Sequence, residues 1–102
     1  MSGITVHRVF CPVGNRMISA AWPDGRLHVE LGDVSQAIPK FFIPGGHTKA
    51  MTINGRLFIS LGMLETWGGI YLAKASAETA KRLDELVQWL KEEMLTTVRE
   101  AA

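Results

Sequence analysis

Residues 41–53 read FFIPGGHTKAMTI and gather the side chains that most directly suggest chemistry. Gly45, Gly46, Thr48 and Lys49 have the composition of a loop that wraps phosphate. Such a loop needs the spacing G-x-x-x-x-G-K-[ST] and must run from a strand into a helix, whose first N–H groups meet the anion. Here Lys49 follows Thr48, and position 41, five residues before Gly46, is Phe41. The residues that follow read as a strand and an Asn-Gly turn. Pro44-Gly45-Gly46 is therefore read as a turn. With His47 and Lys49 it could give a nucleic-acid backbone one contact among several.

Other reactive constellations are missing from the sequence. His7, His28 and His47 are the three histidines, with neither i,i+4 spacing nor a Cys-x-x-Cys partner, so no metal site is expected. There is no nucleophile elbow and no dinucleotide fingerprint. Asp24, Asp33 and Glu65 read as turn and surface carboxylates and Glu30 as a strand residue, which leaves no paired acid and base. A non-enzymatic protein without a cofactor is expected. The single cysteine, Cys11, cannot staple the domain; it reads as a small buried hydrophobe in a strand and fits a reducing, cytoplasmic setting. No run of 18 apolar residues suggests a membrane span, and the first twenty residues lack the pattern of a secretory signal.

The elements that must position any site are well marked. The 102 residues, 47% of them hydrophobic, fit one domain: residues 1–75 mostly β, a helix over 76–99, and a short tail at 100–102. In ITVHRVF (4–10), Ile4, Val6 and Phe10 stand at even positions, interrupted by Arg8. RMISAAW (16–22) and RLHVELG (26–32) flank Pro23-Asp24-Gly25, a turn in which Pro presets φ and Gly accepts the left-handed position. KAMTI (49–53) and RLFISLG (56–62) flank Asn54-Gly55, the pair a type I′ turn demands. Asp33 and Gln36 suggest a capped helical turn ending before Pro39, KFFI (40–43) a short strand, and GGIYLAK (68–74) a last strand with a bulge. From Ser76 the period becomes helical, with Ala80, Leu83, Val87, Leu90, Met94 and Val98 as the stripe that packs on the sheet and Trp89 at its edge.

Charge is polarised along this order. The net value is +1, but residues 1–75 carry +3 and residues 76–102 carry −2. If the first hairpin closes at Trp22 and Arg26, it pairs Ala21 with Leu27, Ser19 with Val29 and Met17 with Leu31. The second, closed at Ile53 and Arg56, pairs Thr52 with Leu57 and Ala50 with Ile59. With the leucines and valine facing the helix, the outer face then presents Trp22 and Phe58 among Arg16, Arg26, His28, Lys49 and Arg56. Bases stack on such rings for about 1–3 kcal/mol each while cations follow the phosphates. Single-stranded nucleic acid is thus the first expected partner. The aliphatic residues on that face (Ile18, Met51, Ile53) equally suit a protein partner or a homodimer.

Strands followed by one long C-terminal helix, with GIYLAKASAETAKRLDELVQWLKEE (69–93) as final strand and helix, loosely resemble in shape the single-stranded-DNA-binding transcriptional coactivators of the Whirly type. No specific motif is shared, so the resemblance assigns no site residue. The expected fold is α+β: an antiparallel sheet of about five or six strands built from hairpins, packed by one long C-terminal helix.

Overall fold

A computed structural model describes residues 4–38, 41, 50–73 and 77–94. The architecture is α+β; among the described residues it has one antiparallel five-stranded sheet and three helices. The strands are β1 (His7–Cys11), β2 (Arg16–Ala21), β3 (His28–Glu30), β4 (Met51–Ile53) and β5 (Arg56–Ser60). They lie in the order β1-β2-β3-β5-β4, so β1 and β4 form the edges. Helix α1 is Leu31–Ala37 and α2 is Leu61–Ala73. The C-terminal helix α3 starts at Ala77 and runs as an α-helix to Trp89, then continues in wider π winding over Leu90–Met94.

Hairpin turns set this order. At Asn54-Gly55 both residues have positive φ (52° and 79°), and the strands pair Thr52 with Leu57 and Ile53 with Arg56, the register a two-residue turn imposes. The turn between β1 and β2 closes through a 3.2 Å bond from the Asn15 N–H to the Pro12 carbonyl. Gly14 there has φ of 82°, and a Cβ on it would lie 2.8 Å from the Ala37 Cα, so this loop is glycine because α1 lies against it.

The Pro23-Asp24-Gly25 hairpin departs from expectation by one residue: Ala20 pairs with Val29 and Ala21 with His28. A one-residue slip turns a strand over. Ile18 and Ala20 therefore join Leu27, Val29 and Ile59 in the main core, while Met17, Ser19 and Ala21 take the opposite face. The reason is burial. The observed register hides Ile18 completely and leaves Met17 in the open; the other would have done the reverse.

The main core fills the helix-covered face. Val34, Ala37 and Ile38, Leu64 of α2, and Leu83, Leu86, Val87, Leu90 and Met94 of α3 meet Cys11, Ile18, Val29 and Ile59 of the sheet. Lys91 and Glu65 link α3 to α2 by an ion pair. The segment expected as a strand at 68–74 is helical through Ala73. Its signal lay upstream: the Ser60 Oγ accepts the Met63 N–H at 3.2 Å, an N-cap that starts the helix at Leu61. Packing on α3 then overrides the cost of Gly68 and Gly69, roughly 1 kcal/mol each. Of the strand expected at 40–43 only Phe41, buried in the main core, lies among the described residues.

Candidate functional site

The face turned away from the main core has its own small cluster: Ala21, Ile53 and Phe58 are buried, and Val6 packs on them. Val6 leads into β1 and Ile53 belongs to β4, at opposite edges of the sheet. Val6 and Ile53 also line one hollow, so the sheet curls to bring its two edges toward each other and this face is concave. The alternation of β1 puts Val6, Arg8 and Phe10 on this face, where Arg8 is opposite Ser19 and Phe10 opposite Met17. Glu30 is opposite Phe58, and Met51 lies on the far side of Phe58. A hollow of about 250 Å³ opens there, lined by buried Ile53, Phe58 and Ser19 and half-buried Val6, with exposed Arg8, Asn54 and Arg56 at its mouth.

The residues expected to bind nucleic acid separate in this arrangement. Phe58 is on the anticipated face but only 1% exposed, so its ring has no free side for a base. Trp22 has crossed to the main-core side with the register shift, where it is partly buried and packs edge-on against His7 at 5.4 Å. His28 is buried on the concave side, its Nδ1 2.9 Å from the Arg26 carbonyl oxygen. Lys49, with Pro44-Gly45-Gly46, His47 and Thr48, lies outside the described residues.

Three of the arginines are held by acids. Arg16 reaches α1, donating to the Gln36 Oε1 at 2.5 Å and to the Asp33 Oδ1 at 3.4 Å. Asp33 and Gln36 thus do not cap α1. The other Asp33 oxygen accepts the Ser19 N–H at 2.9 Å, at a point where β3 has already turned into helix and offers β2 no ladder partner. Arg26 grips Asp24 through Nε and Nη2 at 3.1 and 2.7 Å, and this bond holds the Asp24 carboxyl below its ordinary value. Arg56 donates to both Glu30 oxygens at 3.2 and 3.3 Å. Burial, and then the neighbouring Asp33 carboxylate, push Glu30 above its usual range despite Arg56. Arg8 is exposed and has no ion-pair partner among the described residues.

Arg8, Phe10, Met17 and Asn54 were not among the expected site residues. For Arg8 and Phe10 the signal was present, since the even-numbered positions of ITVHRVF share one side of a strand. Met17 required the observed register. Phe10 is 54% exposed and Met17 38%, so the two form an apolar step beside the edge strand β1.

A second hollow, of about 450 Å³, lies between α2 and α3, with Leu64, Ala80, Leu83 and Val87 in its wall and exposed Lys81 and Asp84 at its rim. The Cys11 thiol is buried and its pKa raised by that burial, which makes it unreactive at neutral pH. Among the described residues no three His, Cys, Asp or Glu side chains gather as metal ligands, and no helix is long and apolar enough to cross a membrane.

No family model, no curated protein and no solved structure matches this chain.

Proposed function

We propose that this is a non-enzymatic binding module that docks a protein partner on the β1–β2 side of its concave face. The observation that carries this reading is the cross-strand pair Phe10–Met17, large apolar side chains left 54% and 38% exposed against the edge strand of the sheet. A partner segment laid along β1 would gain main-chain hydrogen bonds from the edge and seat an apolar side chain on that step. Single-stranded nucleic acid is less well supported. Phe58 and Trp22 do not present open rings, and Arg16, Arg26 and Arg56 already have carboxylate partners.

A photo-crosslinking residue at position 10 tests the proposal in cells, with position 82 on the exposed side of α3 as the control. Discrete protein adducts at 10, absent at 82, are expected. Equal or absent labelling at both positions would overturn the reading. Anisotropy of a labelled single-stranded oligonucleotide decides the other reading. Binding with a log–log salt slope near −2, about three phosphates at −0.7 each, would restore it.

A further inference from the structure

We infer that the hollow in the concave face binds a carboxylate carried on a small apolar body, independently of the protein-docking step at Phe10 and Met17. Its volume of about 250 Å³ falls below the roughly 300–1,000 Å³ of sites for drug-sized ligands, so it suits a group the size of one ring or one branched side chain. The floor decides the body. Val6, Ile53 and Phe58 are apolar, and Ile53 and Phe58 belong to a buried cluster that water does not solvate.

The mouth decides the head group. Arg8 brings a guanidinium with no ion-pair partner among the described residues. Arg56 spends one terminal nitrogen on Glu30 and keeps further N–H donors, and its side chain is 61% exposed. Asn54, fixed in the left-handed conformation by its turn, adds a side-chain amide at the same rim. Two arginines lining one hollow suit a planar, singly charged carboxylate. Glu30, bonded to Arg56, sets the charge limit: it leaves one net positive charge among the three. A doubly charged phosphate would meet that carboxylate and would waste the apolar floor.

The carboxylate could belong to a free small acid or to the end of a peptide chain. The test is titration of the isotopically labelled whole chain with benzoate, N-acetylleucine, benzyl alcohol and inorganic phosphate, followed through amide and arginine side-chain resonances. Saturable shifts at Val6, Arg8, Asn54 and Arg56 with benzoate or N-acetylleucine, and none with benzyl alcohol, are expected. The tighter of the two acids identifies the source as free acid or chain end.

Arg8→Gln, at an exposed position, should weaken the acid by about fivefold or more while leaving the dispersed spectrum intact. Asn54→Asp keeps a residue that tolerates the turn and adds a charge at the rim; it should abolish the shifts. The inference is overturned by an absence of saturable shifts, by equal binding of benzyl alcohol, or by phosphate binding as well as benzoate. Loss of the Phe10 crosslinks with retained benzoate binding would remove the docking proposal alone.

Discussion

The two faces of the sheet are stabilised by different means. On the helix-covered face three helices bring whole apolar side chains, and residues such as Ile18, Ile59, Leu83 and Leu86 are fully hidden. On the concave face three buried residues and Val6 make the apolar cluster among the described residues, beside buried His28 and Ser19 and the Arg56–Glu30 ion pair. One face is heavily packed by helices. The other is closed by curvature, and curvature leaves a mouth. Exposed apolar area (Phe10, Met17, Met51) and an arginine with no ion-pair partner among the described residues both fall on the less heavily packed side, where the proposed sites lie.

Breaking the small cluster should therefore cost as much as breaking the large one, because it is the apolar cluster that the described residues form on the concave side. Phe58→Ala is expected to destabilise the protein by about 3–5 kcal/mol, measured by urea denaturation. A loss below about 1 kcal/mol would mean the ring is not buried. The next effect separates the faces of β2. Ile18→Ala should cost about 2–5 kcal/mol and the adjacent Met17→Ala only about 0.5 kcal/mol. The reverse ranking would return β2 to the register of a turn closed at Trp22 and Arg26.

That pair of substitutions also marks where the sequence could be read. At Asn54-Gly55 the turn is minimal, both residues need positive φ, and the register follows from the turn alone. Across Pro23-Asp24-Gly25 the connection is longer, running from Ala21 to His28, and turn chemistry no longer counts residues. Burial of Ile18 decides it, and that depends on helices which local patterns do not place. The sheet, its hairpins and the C-terminal helix were legible because period and turn residues are local properties. Helix α2 was not: LGMLETWGGIYLA is apolar on all sides, so it has no helical period, and its glycine pair imitates a strand bulge. Of the site, Arg56 and Phe58 were put on the correct face. Arg56 is exposed as expected, but Phe58 is buried, because curvature is a property of the whole sheet.

A smaller effect is expected where the two faces meet. The Asp33 carboxylate occupies the position where β2 runs out of ladder partners, accepting from the Ser19 N–H and the Arg16 guanidinium. Asp33→Ala leaves the buried Ser19 N–H without an acceptor, which costs about 1–3 kcal/mol. Amide exchange adds a local test, since Ser19 should lose protection while Ala20, bonded within the sheet, keeps more of it. Unchanged exchange at Ser19 would mean that a different acceptor serves it.

The smallest effect is a matter of pH and belongs to Glu30, the partner of Arg56 on the concave side. Burial comes first and the Asp33 carboxylate second in raising its pKa, with Arg56 opposing both. A carboxyl whose folded pKa is above its unfolded value of 4.5 binds more protons in the folded state across the interval between the two. Stability from this group is therefore largest below the unfolded pKa, declines as pH rises through the folded pKa, and is flat above it. Glu30→Gln removes that titration while keeping a side chain of the same shape. Compared with the parent, its stability should fall less steeply with pH just above 4.5, in chemical denaturation repeated at half-unit steps. Parallel profiles would mean that Arg56 offsets burial and Asp33; a steeper fall in the variant would mean that Arg56 outweighs them. Binding of a carboxylate beside Glu30 would hold its proton more tightly still. In the presence of saturating benzoate the parent's decline should move to higher pH, and that of Glu30→Gln should not.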